Sequence, residues 1–161
     1  MKFGVQCIFS DFKDSEPFEK LHIKFVKEIL GVHCKTSNDA CRAELGRIPL
    51  KGKILFSCFQ YLDHILSLEG SIVKDIFENM NQSYPWIVKI KASLQNLGLS
   101  FLINDMSNLK SYLKQLKIRI KDQCIQSQNA TINESSKLTF FMNIHIEGYR
   151  PPYVDILKCI Y

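Results

Sequence analysis

Two sets of side chains in this sequence could do chemistry: a scatter of thiols and imidazoles, and one line of cations. Zinc needs several donors converging at paired spacings. The nearest approach, His33, Cys34 and Cys41, has the wrong separation for a zinc knuckle, so no metal site is expected there. Nucleophilic catalysis needs a serine or cysteine beside a base and an orienting group, and neither a G-x-S-x-G elbow nor a comparable local signature occurs. His22 and His64 lie within amphipathic stretches, where an imidazole is more often structural than a general base. Glycine loops of the G-x-x-x-x-G-K-S/T or G-x-G-x-x-G type are also missing. The expectation is a chain that is no enzyme by itself and holds no cofactor.

The cations are more telling. Lys110, Lys114, Lys117 and Lys121 repeat at steps of four, three and four, and Arg119 adds a fifth charge before the first acid, Asp122. Ammonium groups about one helical turn apart can follow a phosphate backbone. Nothing in such a row reads base identity, and a lysine face is most often simply a solvated one. Arg47, Lys51 and Lys53 form a second basic group and a second choice for phosphate contacts.

Helices must position these residues. Leu109, Leu113, Leu116 and Ile120 make an apolar spine one position ahead of the lysines, on a helix expected from Ser107 to about Gln126, with a polar loop from Gln126 to Ser136. Earlier helices are expected from Pro17 to Leu30, closed by Gly31, and from Ala40 to Leu45, capped from among Thr36 to Asp39 and closed by Gly46. Further ones should run from Pro49 to Ser67, from Ile72 to Met80, and from Pro85 to Gly98. Leu99 to Ile103 forms an apolar knot, and Leu138 to Ile146 suggests a last short helix before Pro151 and Pro152. Strand signals are confined to Gly4–Ile8 and Ile144–Ile146. The fold class expected is all-α, a single irregular bundle of about six to eight helices, in one domain spanning 1–161 whose first fifteen residues are a disordered or truncated edge.

Composition agrees with a folded chain. At 161 residues, 46% hydrophobic and 23% charged, it can bury a core without disulfides. Six cysteines without a C-x-x-C pair are expected to be reduced thiols. A net charge of +5 permits an acidic partner without requiring one. With no signal-peptide core and no run of about 20 apolar residues, an intracellular location, cytoplasmic or nuclear, and no membrane partner are expected.

Three strings then carry a resemblance: Glu19-Lys20-Leu21-His22-Ile23-Lys24-Phe25 with Ile29-Leu30-Gly31-Val32, Glu44-Leu45-Gly46-Arg47-Ile48-Pro49-Leu50, and Lys117-Ile118-Arg119-Ile120-Lys121-Asp122-Gln123. Their order and spacing, with Pro85-Trp86, Ser136-Lys137-Leu138 and Pro152-Tyr153 between and after them, resemble the C-terminal region of non-LTR retrotransposon reverse transcriptases. The resemblance implies a helical module that supports or contacts RNA or DNA, with the polymerase domains of the parent as missing partners. It also implies no synthesis by this chain alone, because the adjacent aspartates of the family's palm do not occur in it. The alternative expectation, from another class, is a helical protein-interaction or scaffold module whose spine at Leu109, Leu113, Leu116 and Ile120 is completed by a partner helix.

Overall fold

The structure is a computed structural model that describes residues 16–79, 85–103 and 106–135. The expected edge at 1–15, both extended segments and the helix expected from Leu138 to Ile146 lie outside those residues. The elements are α1 (Glu16–Leu30), α2 (Asn38–Glu44), α3 (Leu50–Ser67), α4 (Ile72–Asn79), α5 (Pro85–Asn96) and α6 (Leu109–Glu134), with 3-10 turns at Ser100–Ile103 and Met106–Asn108. The chain is all-α. Residues 16–50 with 122–135 gather into one compact unit and residues 51–121 into another.

In the unit of residues 16–50 and 122–135, α1 turns Ile23 and Val26 inward against Cys41 and Leu45, and Leu30 packs against the same cluster. Gly31 and Gly46 close α1 and α2 with paired backbone bonds: Val32 N–H donates to Lys27 O at 3.1 Å, and Arg47 N–H to Arg42 O at 2.8 Å. Of the four candidate caps for α2, Ser37 is the one used, its Oγ accepting from Ala40 N–H at 3.4 Å.

Charge organises the rest of this unit. The Arg42 side chain, 8% exposed, donates to Asp39 at 2.8 Å and to Glu19 Oε1 at 2.5 Å. The other oxygen of Glu19 accepts from Leu50 N–H at 2.7 Å, so one carboxylate both neutralises a buried guanidinium and caps the N-terminus of α3. A buried pair of this kind costs several kcal/mol to break from one side, because the surviving charge is left without its partner.

The clearest departure from expectation is the length of α6. The stretch from Gln126, expected to be a loop, stays helical to Glu134. Two things permit it: no glycine or proline interrupts 109–134, and burial resumes at Gln128 and Ile132, 5% and 1% exposed. Gln128 Nε2 donates to Arg47 O at 3.2 Å, a tertiary contact that outweighs the weak helix preference of the asparagine- and serine-rich run.

In the unit of residues 51–121, α3 buries Ile54, Cys58, Phe59, Leu62 and Ile65, and α5 buries Ile87, Ile90 and Leu94. Trp86 meets Tyr61 and Phe77 edge-on at centroid distances of 6.5 and 5.9 Å. The apolar knot after Gly98 resolves into the 3-10 turn at Ser100–Ile103, with Leu99 and Leu102 each 1% exposed. Burial pushes the Cys58 thiol up to about 12, and burial likewise raises that of Cys41, against the opposing pull of Lys27 and Arg42.

Arg42→Ala is expected to lower unfolding free energy by about 3 kcal/mol and Glu19→Gln by about 2 kcal/mol, since a glutamine that accepts from Leu50 N–H turns its NH2 toward the Arg42 guanidinium, which is left with Asp39 alone; urea titrations followed by circular dichroism would measure both. With Cys7 and Cys159 replaced by serine, a thiol reagent at neutral pH should modify exposed Cys34 first and Cys58 only at the rate of unfolding.

Candidate nucleic-acid interface

The candidate interface is built on the first half of α6, within the unit of residues 51–121. Leu109, Leu116 and Ile120 are 1%, 0% and 3% exposed, and Leu113 is half-buried. Each lysine of the row follows one of these residues by one position, so it is turned by about 100° from its apolar neighbour. Lys110, Lys114, Lys117 and Lys121 are all exposed and fall within an arc of about 60° on the helix surface. They rise along about 16 Å of helix. Among the described residues, no carboxylate lies within ion-pair distance of any of the four, whereas Lys20 pairs with Glu16 and Arg42 with Glu19 and Asp39.

Arg119 does not share that face. The helical repeat sets it about 140–180° around the axis from the lysines. Its Nη1 donates to Leu97 O at 2.6 Å and to Gly98 O at 3.1 Å, holding the carbonyls left open at the end of α5. Gly98 makes this possible twice over. Its φ of +67° is a left-handed conformation that costs other residues about 1–2 kcal/mol, and a Cβ there would stand 2.8 Å from Arg119 Nη1. Arg119, expected among the phosphate contacts, is thus engaged in fastening α6 to α5.

Lys117 reaches the other way. Its Nζ stands 5.9 Å from the centroid of the Phe56 ring on α3, within cation–π range. Lys53 precedes Phe56 by three residues on the same helix and is therefore its surface neighbour. Lys53 is exposed and Phe56 half-buried. Lys51 is also exposed, about 140° around α3 from Phe56. Arg47 is half-buried in the other unit, where its backbone N–H and carbonyl are tied to Arg42 and Gln128. Phe56 is the residue that sequence reading missed. Spacing alone did not single it out, because it sits in a broad apolar run with the core residues Ile54, Cys58, Phe59, Leu62 and Ile65.

The electrostatics run against helix stability. A helix N-terminus carries about half a positive charge, which favours acids in the first turn. Neither α3 nor α6 has an acid of its own there, and Lys51, Lys53 and Lys110 occupy those turns; at α3 the Glu19 carboxylate on Leu50 N–H supplies the negative charge from α1. Each misplaced cation costs about 0.3–1 kcal/mol at low ionic strength and concentrates positive potential where backbone N–H groups already point outward.

The thiols and imidazoles set aside on spacing are dispersed. Cys34 is exposed with its Sγ 3.8 Å from His33 Nδ1, whereas Cys41 is buried in the cluster with Ile23 and Val26. Among the described residues, no three or more His, Cys, Asp or Glu side chains group closely enough to hold a metal ion. No family model matches the chain, and neither a curated protein nor a solved structure matches it.

Lys110→Glu is expected to raise stability by about 0.5 kcal/mol, by giving α6 an acid in its first turn. Arg119→Ala should cost about 1–3 kcal/mol by leaving the Leu97 and Gly98 carbonyls without their donor. Thermal melts of the two variants beside Lys114→Ala, which should leave the midpoint unchanged, would separate structural cations from idle ones.

Proposed function

We propose that this chain is a non-catalytic nucleic-acid-binding module, a counterpart of the C-terminal region of a non-LTR retrotransposon reverse transcriptase, acting on RNA or DNA backbone inside the cell. The observation that carries the reading is the uncompensated row: four exposed lysines on one face of α6 with no carboxylate in ion-pair distance among the described residues. A merely solvated helix surface usually mixes its signs, as α1 does with Glu16, Lys20, Lys24 and Glu28. Lys53 extends the row, and Lys110 stands in the first turn of α6, where helix stability would favour an acid. The hydrogen bond from Leu50 to Glu19 also gives two of the strings that carry the resemblance a common physical task.

In this role Lys110, Lys114, Lys117 and Lys121 are the phosphate contacts, with Lys53, Lys51 and Arg47 second, and Arg119 positions α6. Binding is then sequence-tolerant, because backbone contacts carry no base information.

A second reading, a helical protein-interaction module without nucleic-acid binding, is favoured by a different surface from the one the sequence suggests. The spine at Leu109, Leu116 and Ile120 is covered by its own chain. On α4, however, Ile72, Val73 and Ile76 are 75%, 47% and 57% exposed on adjacent positions of one face.

A labelled, unstructured RNA titrated with the full chain at several salt concentrations would decide between the two. Four backbone contacts give a log–log slope of affinity against salt of about −3, and Lys114→Glu with Lys117→Glu should bring it to about −1.5. No binding at low salt, with concentration-dependent self-association in light scattering, would favour the second reading.

A further inference from the structure

We infer that Phe56 is a base-stacking residue and that the interface therefore prefers single-stranded nucleic acid to a duplex. The inference rests on the nucleic-acid reading above and gives that site its substrate class. Phe56 is half-buried on α3, bordered by exposed Lys53 one turn before it and covered from α6 by Lys117 Nζ at 5.9 Å from its centroid. Cations beside an aromatic ring make the arrangement that single-strand binders use: charges that follow the backbone, and a flat apolar face on which one base lies.

The cover is a weak one. An ammonium over an aromatic ring at an exposed site is held only weakly, and lysine is a long, flexible side chain that a phosphate would recruit. As Lys117 moves to a phosphate, the ring face it occupied opens to the adjoining base, so a single rotamer change supplies both contacts. A duplex offers that face no base plane, since its bases are already paired and stacked and present only their edges in the grooves. The row spans about 16 Å, roughly five stacked nucleotides of one strand.

Phe101 is the natural control. It is 52% exposed and meets Tyr112 edge-on at 5.2 Å, on the flank of α6 turned away from the lysine row. It lacks a bordering lysine from that row.

The test measures anisotropy of a labelled oligo(dT) of about ten nucleotides, and of a duplex of the same length, against the full chain. The variants are Phe56→Leu, Phe56→Tyr and Phe101→Leu, each with its thermal midpoint recorded. Phe56→Leu should bind oligo(dT) about ten-fold more weakly while its duplex affinity stays unchanged, and Phe56→Tyr, which keeps the ring, should bind as the natural chain does. Equal affinities for oligo(dT) in Phe56→Leu and the natural chain would overturn the inference and leave backbone binding standing; so would an equal loss in Phe101→Leu. Failure of the natural chain to bind either oligonucleotide at low salt would instead remove the nucleic-acid reading itself.

Discussion

Burial of one apolar line decides where four positive charges go. With 3.6 residues per turn, the position after a buried one is carried about a quarter-turn around the helix, so a leucine–lysine pair repeated at steps of four, three and four yields two parallel lines. Once Leu109, Leu116 and Ile120 are packed, Lys110, Lys117 and Lys121 have no freedom to turn inward or to scatter. The basic surface thus needs no machinery separate from the core. Loss of the core's packing would dissolve the row along with it, because the lysines repel one another and, among the described residues, no carboxylate pairs with them.

Cations of the same formal charge take three different parts in this chain. Arg42 is buried and paired on two sides, Arg119 caps the open carbonyls of α5, and the lysines of α6 stand in water. The division follows side-chain chemistry. A guanidinium presents several donors in a rigid fork and is weakly hydrated, so it suits converging carbonyl and carboxylate oxygens; an ammonium is a compact, strongly hydrated point charge and suits a surface. Basic composition alone therefore overstates the charge offered to a partner, since Arg42 and Arg119 are already engaged.

The helices themselves were largely legible before any coordinates. Gly31, Gly46 and Gly98 ended the elements expected to end there, and Pro85 opened α5. These signals are local: a left-handed turn or a missing N–H acts within a few residues and needs no tertiary help. The end of α6 was not legible for the converse reason. Its last two turns are polar and of poor intrinsic propensity, and they are helical because Gln128 and Ile132 are buried and Gln128 holds the carbonyl of Arg47, eighty-one positions earlier.

By itself, then, the sequence determined the all-α class, most helix boundaries and the shared face of Lys110, Lys114, Lys117 and Lys121, because helical periodicity is a property of the backbone. Only the tertiary structure decided which cations remain available and what stands beside them. It drew Arg119 to α5, enclosed Arg42 between Glu19 and Asp39, and set Phe56 beneath Lys117. Those outcomes depend on residues far apart in the chain being brought within a few ångströms, a relation that spacing along one helix does not encode.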